Sequence, residues 1–168
     1  NRDLLCTSLE NISSLSIEID CELSAVFIRE FDLILITVYH SPKGDFNNFI
    51  DAIIKLFDVV EYKSKSVIIG GDFNLLFGTN DTKSKFFCDL LFSYAFLPFA
   101  SFKTHNNNTL DNVFANVNKN SVGVTPLSIP RSDHTGILVK LRLSKPAYDN
   151  SLISKITSYF TVWENSVL

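Results

Sequence analysis

Apolar and polar residues alternate through the first third of the chain. Leu15, Ile17 and Ile19 fall on one side of an extended backbone and Ser16 and Glu18 on the other, which predicts a half-buried strand over 15–19. Leu23, Ala25 and Phe27 repeat the period over Glu22–Ile28, with Asp20 and Glu22 bracketing Cys21 at the turn between the two. Residues 31–39 (FDLILITVY) are nearly all apolar and rich in β-branched side chains, as in a strand buried on both faces. His40-Ser41-Pro42-Lys43-Gly44 breaks it. Asp45 then caps a helix in which Phe46, Phe49, Ile50, Ile53, Ile54 and Phe57 recur at helical spacing, ending near Tyr62. A short buried strand over 66–70 runs into Gly71-Asp72-Phe73-Asn74. Thr82 or Ser84 opens a second helix carrying Phe86, Phe87, Leu90, Leu91 and Tyr94. A polar loop over 106–108 precedes a strand over 110–115, a weaker strand over 122–127 and an alternating strand over 135–143. Lys145-Pro146 ends the packed region, and Leu152, Ile156, Phe160 and Trp163 predict a helix over 150–164. Strands interspersed with a few helices indicate an α/β class, and a two-sheet sandwich flanked by helices fits. The pattern alone leaves the topology open.

Composition narrows the picture. The chain has 168 residues, of which 46% are hydrophobic and 20% charged, and 15 are Phe, so one domain with an aromatic-rich core is expected. No apolar run reaches the roughly 20 residues a membrane helix needs. Cys6, Cys21 and Cys88 match no disulfide or metal spacing and read as reduced thiols of an intracellular protein. A net charge of −3 argues against coating nucleic acid by bulk charge, but not against gripping one phosphodiester locally. The chain opens on Asn1 and has no Met, and is therefore expected to be a piece of a longer protein.

Four groups of residues carry candidate chemistry. Asp72 and Asn74 follow a glycine pair at a strand end, where α/β sheets bind ligands. The carboxylate can orient or deprotonate a water, and the amide can donate to a phosphate oxygen; a plain Gly-Asp turn is the bland alternative. Ser132-Asp133-His134 sets an imidazole beside a carboxylate, suited to binding phosphate, or is a solvated loop. Asp111 is a charge inside an apolar strand, needing water or a partner such as a His. Tyr39 ends a strand and offers its hydroxyl at the same rim, or only packs there.

In this order and at this spacing, the strand ending in Tyr39, Gly-Asp72-Phe-Asn74, Leu-Asp111-Asn-Val-Phe and Ser-Asp133-His134 resembles the endonuclease/exonuclease/phosphatase superfamily. The stretches TVYHSP (37–42) and TLDNVFAN (109–116) are most similar to the endonuclease of jockey-type non-LTR retrotransposons, and the likeness covers residues 14 to 143. It implies a four-layer α/β/β/α sandwich of the deoxyribonuclease I type, incomplete at its N-terminus, over 1–145, with 146–168 a helical tail or linker to a following domain.

It also implies site roles. Asp72 orients or deprotonates the attacking water, Asn74 assists and contacts the phosphate, His134 binds the scissile phosphate, Asp111 orients His134, Tyr39 hydrogen-bonds the phosphate, and Asp133 lies near the metal. The metal is Mg²⁺, with Mn²⁺ as substitute. The family's Glu ligand and catalytic Asn precede the position of Asn1, and Glu10 and Glu18 do not stand in that context. A DNA or phosphate contact is implied at Thr104, where the family has Thr-Arg and this chain Thr104-His105. The implied activity is nicking of target DNA in the nucleus, leaving a 3′-hydroxyl for a reverse transcriptase domain in the same full-length polypeptide, with residues 1–168 inactive alone. Another phosphodiesterase of the same fold, such as an abasic-site nuclease or a phospholipid phosphodiesterase, and an inactive binding remnant are the competing readings.

Overall fold

The computed structural model describes residues 4–142 and the backbone of Thr157–Thr161. In chain order the elements are β1 (Cys6–Ser8), α1 (Glu10–Ser13), β2 (Glu22–Ile28), β3 (Leu33–Tyr39), α2 (Phe46–Val59), β4 (Ser66–Asp72), α3 (Thr82–Ser93), β5 (Leu97–Pro98), β6 (Asp111–Ala115), β7 (Val122–Ser128), β8 (Thr135–Arg142) and β9 (Thr157–Thr161). They form a six-stranded sheet in the order β1-β2-β3-β4-β6-β5 and a three-stranded sheet in the order β7-β8-β9. In the larger sheet only β3 and β4 are parallel, joined through α2; its other neighbours are antiparallel.

The strand period decides which core each face enters. Ile34, Ile36 and Val38 of β3 and Val67 and Ile69 of β4 pack with Phe49, Ile53 and Leu56 of α2 and Phe87 and Leu91 of α3. Leu33 and Ile68, on the opposite face, join Val113 and Ala115 of β6 and Ile137, Val139 and Leu141 of β8 in a second core between the sheets. Helices, large sheet and small sheet are thus stacked in three layers among the described residues. This is the expected α/β sandwich; a second helical layer does not appear among the described residues. The helix-side core is built on aromatics: Phe49, Phe73, Phe87, Phe96 and Phe114 are all fully buried. Each such ring contributes roughly 1.5–3 kcal/mol by leaving water.

Most expected elements form, with three corrections. Residues 15–19 are a tight turn and not a strand. Ile17 and Cys21 exchange both backbone hydrogen bonds at 2.7 and 2.8 Å, and Ile19 sits exposed at φ 71, outside the β region. The first helix ends at Val59, three residues before Tyr62, where the chain turns extended. Helix α3 opens at Thr82 as expected, behind Asp81 as its cap, whose carboxylate accepts from Ser84 N–H at 2.7 Å. Residues 157–161, expected to be helical, instead form β9, which pairs with β8. The sequence TSYFT there is β-branched and aromatic, and tertiary pairing overrides its weak helical spacing. The rest of the expected helix lies outside the described residues. Cys6, Cys21 and Cys88 are free thiols. No helix among the described residues is long and apolar enough to cross a membrane.

Candidate active site

Strand β4 can approach β3 closely only because residue 71 is glycine. A Cβ there, at φ +156, would lie 1.8 Å from the Val38 carbonyl oxygen. That close pairing brings Tyr39, Asp72 and Asp111 into one row across β3, β4 and β6, since Tyr39 is in register with Asp72 and Asp72 with Asp111. Residues in register share a face of the sheet. Counting alternately back along β4 and β6, Asp72 shares its face with Ile68, and Asp111 with Val113 and Ala115. The row therefore faces the second sheet. Glu22 of β2, in register with Tyr39, continues it outward.

After Asp72 the chain turns at Asn74, held at φ 47, a left-handed conformation that asparagine tolerates. Asn74 closes the turn on Asp72: its backbone N–H donates to Oδ1 at 2.9 Å and its Nδ2 donates to Oδ2 at 3.0 Å. The second Nδ2 proton goes to the His40 carbonyl at 2.7 Å. Both side-chain donors are engaged within the protein here, so Asn74 holds Asp72 in place.

His40 completes the brace. Its N–H donates to the Asp72 carbonyl at 2.9 Å, and its ring Nδ1–H donates to the Phe73 carbonyl at 2.9 Å. The ring stacks on Phe49 at a centroid distance of 4.4 Å. Its Nε2 is buried without a hydrogen-bond partner. In the sequence His40 stands in the strand-breaking turn and in the TVYHSP stretch, with no role of its own assigned.

His134 arrives from the other sheet, at the start of β8. Its Nδ1 lies 3.0 Å from Asp111 Oδ2 and 3.3 Å from Oδ1. A carboxylate on Nδ1 requires the proton there, which leaves Nε2 as the nitrogen that can meet a substrate. The expected Asp111–His134 pair is thus formed. Ligand-capable atoms of Asp72, Asp111 and His134 all fall within 4.8 Å of one another.

Two expected residues stand elsewhere. Thr104 is 1% exposed, and its hydroxyl oxygen accepts from Leu110 N–H at 2.9 Å and Asp111 N–H at 3.0 Å. Through these bonds Thr104 aims the start of β6, and hence Asp111. Asp133 pairs with His105, with Oδ2 at 3.2 Å from Nε2 and a side chain 78% exposed. Its carboxyl is held below the usual range by its own backbone N–H and then by His105. His105, which sequence reading noted only as a departure from the family pattern, stacks on His134 at 4.5 Å.

The arrangement offers a buried carboxylate fixed on both oxygens and an imidazole oriented by a second carboxylate. Two neighbouring carboxylates on one rim also suit a hard divalent cation, which prefers oxygen ligands and retained water.

No family model matches the chain, and no curated protein matches it. Among solved structures, the chain is similar to the endonuclease domain of TRAS1, a telomere-specific non-LTR retrotransposon, at a TM-score of 0.67 and 16% identity. That likeness covers 85% of this chain and 69% of the other. An endonuclease/exonuclease/phosphatase family protein from Bacteroides thetaiotaomicron is also similar, at a TM-score of 0.47 and 14% identity over 71% of this chain and 54% of that one. At these identities the first likeness establishes a shared fold, and the second adds no argument.

Proposed function

We propose that the protein hydrolyses phosphodiesters and nicks DNA, as a Mg²⁺-dependent endonuclease of the retrotransposon type. The observation that carries this reading is the convergence of Asp72, Asp111 and His134 from two sheets onto one rim, on the fold of a nuclease. Asp72 takes a proton from, or orients, the attacking water, with both its oxygens fixed so that little reorganisation is needed. Asp111 holds the His134 tautomer so that Nε2 faces the scissile phosphate. Tyr39, half-buried in the same row, hydrogen-bonds a phosphate oxygen. Asp72 and Asp111 are the residues here that would hold Mg²⁺, with Mn²⁺ as a substitute. The bound ion would neutralise charge developing on the phosphate.

The wider reading follows the resemblance in motif order. The substrate is target DNA, the product a 3′-hydroxyl, the partner a reverse transcriptase domain of the same polypeptide with 146–168 leading towards it, and the compartment the nucleus. The test is Mg²⁺-dependent nicking of supercoiled plasmid by the full-length domain, compared with its Asp72→Asn variant. That change is nearly isosteric and removes charge and basicity. A general base contributes on the order of 10² to 10⁴-fold. Nicking by Asp72→Asn within a few-fold of the parent would remove Asp72 from the chemistry.

A further inference from the structure

The end of the fold opposite the Asp72 rim carries a concavity of its own. Strand β4 runs from Ser66 to Asp72, and at about 3.3 Å per residue its two ends stand roughly 20 Å apart. Around Ser66, the loop over 62–65, the chain after β6 and the end of β8 enclose a cleft of about 410 Å³. We propose that this cleft binds a phosphate group, at a site separate from the one that meets the scissile phosphodiester.

Charge argues for an anion. Lys63, Lys65 and Arg142 line the cleft, and no carboxylate does. Lys65 is already committed, to Asp32 at 3.1 Å and to Glu61 at 3.3 Å. That group of three carries one surplus negative charge, which Lys63 and Arg142 together outweigh. Neither Lys63 nor Arg142 makes an ion pair among the described residues. A concavity lined by charge of one sign concentrates the opposite ion.

The rest of the lining argues for phosphate. Ser66 and Ser121 add hydroxyls. Asn118 adds its NH₂ group, because its Oδ1 already accepts from Asn120 N–H at 2.9 Å. Hydroxyls, an amide and a guanidinium can each meet a different oxygen of one tetrahedral anion. Pockets for drug-sized ligands are mostly apolar, whereas this lining is mainly polar, so it suits the phosphate end of a ligand better than a base or an acyl chain.

The wall is in place before any ligand arrives. Asn116 Oδ1 accepts from Val67 N–H at 2.7 Å, and its Nδ2 donates to the carbonyls of Tyr62 and Lys65 at 2.7 and 2.9 Å. One side chain thus ties the loop over 62–65 to the start of β4. Little backbone ordering remains to be supplied on binding.

The proposal stands on this cleft and not on the assigned activity, so its test reads binding. The same group is presented by free phosphate and by a nucleic-acid backbone, and the two probes are inorganic phosphate and oligothymidylate. Each is titrated into the full-length domain while the backbone amide NMR signals of Ser66, Asn118 and Ser121 are followed. The expected result is a saturable shift at these amides, with affinity lowered ten-fold or more when Lys63→Gln and Arg142→Gln are combined. Both side chains are exposed, so the fold tolerates the change. His134→Ala should leave these shifts as they are in the parent, because His134 belongs to the other rim. Tighter binding of oligothymidylate, weakening steeply as salt rises, assigns the phosphate to a nucleic-acid strand. Binding of inorganic phosphate at least as tight assigns it to the free ion. No saturable shift with either probe, or equal affinity in the combined variant, would overturn the site.

Discussion

The turn after β4 and the turn before β8 meet at one rim, and they are built on different plans. In the first, Asp72 is buried, both its oxygens are filled by Asn74, and His40 ties three consecutive residues through two backbone bonds and a ring N–H. In the second, Asp133 is exposed and the imidazoles of His105 and His134 lie half-buried against each other. Backbone pairing at Thr104 and Thr135 holds that side, and only the Asp133 side chain is largely exposed. The difference separates two tasks. A group that must not reorganise is surrounded by protein donors, and groups that must meet a ligand are held by their backbones and left facing water.

The comparison breaks most severely at Gly71. A methyl group there would sit 1.8 Å from the Val38 carbonyl, and backbone cannot yield as a side chain can. Gly71→Ala is expected to cost about 3 kcal/mol or more, read as a large drop in melting temperature. An unchanged midpoint would show that β3 and β4 do not pack this closely.

Thr104 anchors the outer turn from within. Thr104→Val keeps the shape but leaves the Leu110 and Asp111 N–H groups without their acceptor. A buried donor left unpaired costs about 1–3 kcal/mol, so denaturant unfolding should show a loss of about 2 kcal/mol or more. Thr104→Ser should restore most of it. If serine fails while valine is tolerated, the methyl group matters and the hydroxyl does not.

These two residues also show what the sequence can carry. Strand period and helix spacing located β2, α2 and β8 by one face against a continuous core, and β3 and β4 by apolar runs buried on both faces. Leu15, Ser16, Ile17, Glu18 and Ile19 alternate equally well, yet the hydrogen bonds between Ile17 and Cys21 close a turn there. A short period cannot report which backbone groups will pair. The site was legible where its residues mark strand ends: Asp72, Asp111 and His134. Thr104, His40 and His105 were not, because their roles depend on atoms far away in the chain, such as Phe73 O for His40 and the His134 ring for His105.

His40 sharpens the inner half of the comparison with a smaller effect. His40→Phe keeps a ring to stack on Phe49 and removes both the bond to the Phe73 carbonyl and the unpartnered Nε2. The lost bond costs about 1 kcal/mol, partly offset because a buried bare nitrogen disappears with it. Stability should therefore fall by less than the Thr104→Val loss, while nicking falls further than stability, since the turn carrying Asp72 loses a brace. Equal nicking by His40→Phe and the parent would reduce His40 to a core residue.

The smallest effect belongs to Asp133, and its size tests the outer plan. Its carboxyl is held below the usual range, first by its own backbone N–H and then by His105. A lowered value in the folded state means that any stabilisation is present above the carboxylate's ordinary pKa. It is lost as pH falls through the lower folded value. The group is fully exposed, however, so water and salt screen that interaction. The acid limbs of melting temperature against pH should therefore nearly superimpose for the parent and Asp133→Asn, and raising salt should bring them closer still. A variant markedly less stable than the parent at neutral pH, and converging with it in acid, would mean that the His105–Asp133 pair holds the outer turn in place. The backbone bridge would then not suffice, and the outer turn would be built much like the inner one.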